Sequence, residues 1–113
     1  MKQYFGTDGI RGIPNKTLSE NLVSKIFSSV EKELLPSSVA VILDTRSSSP
    51  ELLNWICRGL SENVEVINYG VLPSGSMPIL LKNFGHDLGV IISASHNPSE
   101  YNGIKLINDK GSK

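Results

Sequence analysis

Apolar residues change their spacing several times along the chain, and each change marks an element. Leu18, Leu22, Val23, Ile26, Phe27, Val30 and Leu34 recur at helical intervals, which predicts an amphipathic helix. Thr17 followed three residues later by Glu20 predicts a capping box at its start, and Pro36 predicts its end. Val39-Ala40-Val41-Ile42-Leu43 is a continuous apolar run, the pattern of a strand covered on both faces, and it gives way to the polar group Asp44-Thr45-Arg46. Ser49, Pro50 and Glu51 read as an N-cap, a first-turn proline and an acid at the positive end of a second helix. Its expected inner face is Leu52, Leu53, Ile56, Cys57 and Leu60. Residues 64–69 predict the next strand. Ser74 to Ser76 open a helix through Met77, Leu80, Leu81 and Phe84 that closes at Gly85, and residues 88–92 form a third strand.

Strand, helix, strand, helix, strand at this spacing implies right-handed crossovers. The expected fold class is α/β, a three-layer α/β/α sandwich with a mixed, largely parallel sheet. Asn102-Gly103 is a tight-turn signal, predicted to fold Ile104-Lys105-Leu106-Ile107 back beside the third strand as a hairpin or bent return, with Lys105 brought towards Ser95. Ligands on such sheets gather at the carboxyl ends of parallel strands. Asp44-Thr45-Arg46 and Ser93-Ala94-Ser95-His96-Asn97-Pro98 both fall there, so topology points to one edge as the working surface.

Composition narrows the partners. The chain has 113 residues with 11 Lys+Arg against 11 Asp+Glu, a formal net charge of zero, and gives no general attraction for nucleic acid or anionic lipid. Locally placed cations acting on a phosphate-sized ligand fit better. One core is expected, too small for two domains with a cleft between them. The single Cys57 excludes an intrachain disulfide and a cysteine-based zinc site, which suits a reducing cytoplasm; a small buried apolar residue is expected there rather than a nucleophile. No apolar run approaches the ~20 residues that span a bilayer, and Met1 to Phe5 lead straight into glycines, so membrane insertion and secretion are not expected.

Three clusters carry candidate chemistry. Gly6-Thr7-Asp8-Gly9-Ile10-Arg11-Gly12 sets glycine at every third position around one planar cation, and is neither a dinucleotide fingerprint nor a Walker loop. Close approach to a ligand and a plain entry loop with Arg11 paired to a surface acid stand on equal terms. Asp44 and Arg46 read first as a structural ion pair or helix cap, and second as catalytic groups. Ser95 combines a nucleophile with His96, Asn97 and the returning Lys105. No G-x-S-x-G elbow surrounds it, and adjacent side chains on extended backbone diverge, so a serine-hydrolase reading fails. His86, beside Gly85 and Asp87, is expected to be solvated or capping. The acids are scattered without metal-site spacing, although a phosphate on Ser95 offers one oxygen to Mg²⁺.

The first and third clusters, with Asp44-Thr45-Arg46 between them in the same order, resemble the α-D-phosphohexomutase superfamily over nearly the whole chain. The likeness covers the first of that family's four domains and is nearest to its bacterial amino-sugar branch. It implies that Ser95 carries the phosphoryl group, and that the reaction interconverts glucosamine 6-phosphate and glucosamine 1-phosphate through a bisphosphate intermediate. By the same resemblance Lys105 is the general acid/base, and Arg11 and His96 lie close to the phosphoryl group. Thr7, Arg11, Asn97 and Arg46 are phosphate- or substrate-binding, and Mg²⁺ is the cofactor, touching this segment through the phosphate of Ser95. The family's metal loop, sugar-reading loop and phosphate loop belong to later domains. This segment is therefore expected to be a piece of a longer chain, partnered by those domains, inactive alone and open to self-association through its interdomain surface. Two departures stand out. Ile42-Leu43 replace the family's Gly and cation before Asp-Thr-Arg, and Ser74-Gly75 replace its Thr-Pro. The phosphomannomutase and phosphoglucomutase branch remains open, as does a non-catalytic domain that binds phosphate or a protein partner.

Overall fold

The computed structural model describes residues 9–94 and 100–108. Its elements in chain order are β1 (Ile10–Gly12), α1 (Glu20–Leu34), β2 (Ser38–Leu43), α2 (Ser49–Gly59), β3 (Glu65–Val71), a 3₁₀ turn (Ser74–Ser76), α3 (Met77–Phe84), β4 (Leu88–Ile92) and β5 (Asn102–Asn108). They build one five-stranded sheet in the order β1-β5-β4-β2-β3. Strand β2 lies parallel to both β3 and β4, while β5 runs antiparallel to β4 and to β1. The mixed α/β/α sandwich expected from the element order is the one observed.

Each face of the sheet has its own core. On one side Val39, Val41, Val90, Ile92 and Ile104 pack with Val23, Phe27 and Val30 of α1 and with Leu52, Trp55 and Ile56 of α2. On the other, Ala40, Ile42, Ile91 and Ile107 meet Met77, Leu80 and Leu81 of α3. Alternate side chains of a strand point to opposite faces, so the continuous runs of β2 and β4 follow from cover on both sides. Every residue of β4 is buried.

Helix boundaries depart from the sequence reading for local reasons. Thr17 does not cap α1, because its Oγ1 accepts from the Ile13 N–H at 2.8 Å and closes the preceding turn. Ser19 takes the cap, accepting from the Leu22 N–H at 3.1 Å, and Glu20 is left to pair with Arg58 of α2. The helix ends at Leu34, and Leu35 adopts a left-handed conformation (φ 48°) just before Pro36. In α2 the buried positions are Leu52, Trp55 and Ile56, with Leu60 just beyond. Cys57 falls outside that stripe and is exposed, contrary to its expected place in the core. Partial desolvation still pushes its thiol above the usual value. α3 closes as expected at Gly85, whose φ of 73° suits a residue without Cβ.

The amino ends of β2 and β4 are joined by polar bonds. Asp87 accepts from the Ser37 and Ser38 N–H groups, each at 3.0 Å, and from the Ser37 hydroxyl. Burial pushes its carboxyl upwards, but these bonds together outweigh that and hold it below the ordinary carboxylate value. His86 is buried rather than solvated. Its Nδ1 bonds the Ser38 hydroxyl and its Nε2 the Tyr69 hydroxyl, each at 2.5 Å, so both ring nitrogens are in use.

Candidate phosphoryl-transfer site

The candidate site lies at the opposite ends of β2 and β4, their carboxyl ends, where the antiparallel return brings in the start of β5. Asp44 N–H donates to the Ile92 carbonyl at 3.0 Å and joins the chain leaving β2 to the end of β4. Ser93 N–H donates to the Gly103 carbonyl at 2.9 Å and joins the end of β4 to the start of β5. Asn102 and Gly103 are therefore the first residues of a strand. They are not the tight turn that the sequence suggests, because the connection between β4 and β5 occupies residues 93–101.

A side-chain network spans this edge. Asp44 Oδ2 accepts from Arg46 Nε at 2.9 Å, and Asp44 Oδ1 accepts from the Arg46 N–H and from the Ser49 hydroxyl at 2.8 Å. The structural ion pair is thus formed, with the Arg46 side chain 13% exposed and that of Asp44 26%. The guanidinium reaches further: NH2 donates to the Ala94 carbonyl at 2.6 Å and NH1 to the Tyr101 carbonyl at 3.1 Å. Fully buried Asn102 donates through Nδ2 to the hydroxyls of Ser48 and Ser49, at 2.9 and 3.0 Å, while its Oδ1 accepts from the Gly103 N–H. Neither serine caps α2 through its side chain; Ser48 occupies the N-cap position and Ser49 is already helical. Their hydroxyls serve the network instead. Asn102, Ser48 and Ser49 were not legible as site residues, because a serine pair before proline reads as a helix start and Asn-Gly reads as a turn.

Arg11 and Lys105 share the sheet face that carries α3. Lys105 stands opposite Ile91, which packs into the α3-side core, and Arg11 stands opposite Gly103, two residues before Lys105 on β5. Both are half-buried. Glycines make room for their stems. A Cβ on Gly103 would lie 2.9 Å from Arg11 Cγ and 2.8 Å from the Ile10 carbonyl, and one on Gly9 would lie 2.8 Å from Lys105 Cγ and 2.2 Å from the Ile104 carbonyl. Gly9 also has φ 74°, a backbone that favours glycine. The glycine-rich entry segment therefore includes a short edge strand, β1, on which Arg11 is held; three residues flanked by glycines carry no periodicity that could announce it.

Thr7, Ser95, His96 and Asn97 lie outside the described residues, so the placement of Lys105 relative to Ser95 does too. Ile42 is 1% exposed within the α3-side core and Leu43 is half-buried, so at this edge Arg46 contributes the cation that follows β2. Among the described residues, no group of three or more His, Cys, Asp or Glu could hold a metal. The expected contact of Mg²⁺ with this chain, a phosphate on Ser95, falls outside the described residues. Among the described residues, no helix is long and apolar enough to cross a membrane.

The chain is an α/β/α domain with two cations on one face of its sheet and a braced connection after its central strand, at the edge where such sheets gather ligands. The chain belongs to the phosphoglucomutase/phosphomannomutase family: the model of that family's alpha/beta/alpha domain I matches residues 2–113. It is 42% identical to the phosphoglucosamine mutase of Clostridium kluyveri over 118 aligned residues, which cover 100% of this chain and 26% of that protein. The phosphoglucosamine mutase of Prochlorococcus marinus is also 42% identical, with the same coverage. The chain thus spans about a quarter of the length of these relatives. A solved phosphoglucomutase/phosphomannomutase family protein from Burkholderia thailandensis superposes with a TM-score of 0.71 at 29% identity, covering 94% of this chain and 26% of that one. A Thermus thermophilus structure, at 23% identity and TM-score 0.78 over 95% of this chain and 26% of that one, supports the fold.

Proposed function

We propose that the chain is the phosphoserine-bearing first domain of a longer phosphoglucosamine mutase, which interconverts glucosamine 6-phosphate and glucosamine 1-phosphate. The observation that carries this reading is the setting of Arg11 and Lys105 on one face of the sheet, beside a connection that includes Ser95 and whose two ends share a side-chain brace. The mutases at 42% identity over the whole chain supply the sugar.

In the first half-reaction a hydroxyl oxygen of the sugar attacks the phosphorus of phospho-Ser95. A new P–O bond forms to the sugar as the bond to Ser95 Oγ breaks. Lys105 accepts the hydroxyl proton, and the released serine oxygen takes up a proton in turn. The bisphosphate then turns around, and the second half-reaction returns its other phosphoryl group to Ser95. Such transfers depend on positioning and on charge neutralisation. Arg11 and His96 stabilise the charge of the moving phosphoryl group, with Thr7 and Asn97 shaping the loop around it. When bound, Mg²⁺ neutralises phosphate oxygens, and its other ligands come from the remaining domains of the same polypeptide. Soluble sugar phosphates as substrates fit a cytoplasmic enzyme.

The test is turnover by the complete polypeptide on glucosamine 6-phosphate, mannose 6-phosphate and glucose 6-phosphate, each primed with the matching 1,6-bisphosphate. The highest kcat/KM is expected on glucosamine 6-phosphate. Preference for either neutral sugar would move the assignment to the phosphomannomutase and phosphoglucomutase branch, and turnover of none would leave a phosphate- or partner-binding role.

A further inference from the structure

The backbone on either side of residues 95–99 is held by one side chain. Arg46 donates from NH2 to the carbonyl of Ala94, directly before Ser95, and from NH1 to the carbonyl of Tyr101, after the connection. Its Nε is fixed by Asp44, whose carboxylate also accepts from the Ser49 hydroxyl and whose N–H is bonded to the end of β4. Asn102, next to Tyr101, is fastened to the same helix start through Ser48 and Ser49. The brace therefore stands on α2, β2 and β4, elements set by the core.

We propose that Arg46 is a positioning residue for phosphoryl transfer: its planar fork fixes the separation of Ala94 and Tyr101, the described residues on either side of the segment that includes Ser95, and it acts through them rather than on the sugar. The proposal rests on the reading of Ser95 as the phosphoserine. Nε and both terminal nitrogens of the guanidinium donate to protein oxygens and Asp44 balances the charge, so this side chain holds backbone geometry at both ends of the connection. Misplacing a reacting group by about 1 Å costs up to about a hundredfold in rate. Lysine cannot replace the fork, because its ammonium is a point charge on a flexible stem.

The experiment compares Arg46→Lys and Arg46→Gln with the unsubstituted complete polypeptide, measuring kcat and KM on glucosamine 6-phosphate and hydrogen exchange along the chain. The expected result is a kcat lowered about ten- to a hundredfold with KM within about twofold, no rescue by Arg46→Lys, and faster exchange at Ser93 and Gly103 while β2 and α1 stay protected. Should Arg46→Gln fail to fold, Arg46→Lys, which keeps the charge, carries the comparison. A KM raised tenfold or more at unchanged kcat would overturn the proposal in favour of direct phosphate binding. Unchanged kinetics in an active enzyme would overturn it alone. An unsubstituted polypeptide that turns over no hexose phosphate would overturn the functional reading, and the catalytic role of Arg46 with it.

Discussion

Two glycines on this sheet that look alike in sequence are held by different neighbours. A Cβ at Gly103 would meet the Ile10 carbonyl at 2.8 Å and the Ser93 carbonyl at 2.9 Å, backbone atoms of two flanking segments that cannot move independently. A Cβ at Gly89 would meet Met77 Sδ at 2.6 Å and Cγ at 2.7 Å, atoms of an adaptable side chain. Gly103→Ala is therefore expected to lose about 2–3 kcal/mol and Gly89→Ala about 1 kcal/mol, read from denaturant midpoints; equal losses would contradict the packing described. Asp87 provides a pH-dependent case. Its carboxyl titrates below the ordinary 3.8 in the fold, so its stabilising bonds are complete above that value and are lost as pH falls through the folded one. Asp87→Asn is expected to cost roughly 1 kcal/mol at pH 7, with the difference from the unsubstituted protein shrinking below about pH 4. A gap that stays constant down to pH 2 would show that Asp87 acts by shape alone. At this scale the chemistry of Arg11, Arg46 and Lys105 makes them candidates in the sequence. Sequence alone could not identify Asn102, Ser48 or Ser49, whose roles depend on a partner some fifty residues away.

The stripe on α1 illustrates what periodicity carries and where it stops. Leu18, Phe27 and Leu34 all lie on the predicted apolar face, yet Leu18, which precedes the helix, and Phe27 are fully buried while Leu34, the last residue of α1, is 52% exposed. Phe27→Ala is expected to cost about 3–5 kcal/mol and Leu34→Ala less than about 0.5 kcal/mol in equilibrium unfolding. Comparable costs would mean that something covers the end of the helix. On α2 the predicted stripe takes in Cys57 and passes over Trp55, whereas Trp55 is buried and Cys57 exposed. Both residues are compatible with burial by type, and only the angle at which the helix meets the sheet decides between them. Strands β2 and β4 were legible because both of their faces are covered and their composition is unmixed. β1 was not legible, since its pairing with β5 depends on residues ninety or more positions away.

For the whole molecule, the fold explains why chemistry collects at one edge. Parallel β2 and β4 deliver two polar connections to the same end of the sheet, and antiparallel β5 brings Lys105 back along β4. The reversal of strand direction is what makes a brace such as Arg46 geometrically available, since Ala94 leaves the sheet where Tyr101 returns to it. The opposite edge is held by Asp87 and His86 in bonds to Ser37, Ser38 and Tyr69, and carries no part of the proposed chemistry. The order of elements could thus be read from the sequence, while the internal bracing of the edge at Arg46 required coordinates. The central claim is that Ser95 carries the phosphoryl group, and its most direct test is intact-mass and site-mapping analysis of the complete polypeptide before and after incubation with glucosamine 1,6-bisphosphate and Mg²⁺, with Ser95→Ala as control. The account predicts one added phosphate on Ser95 and none in the control; folded protein that stays unmodified at Ser95, or carries the phosphate elsewhere, would contradict it.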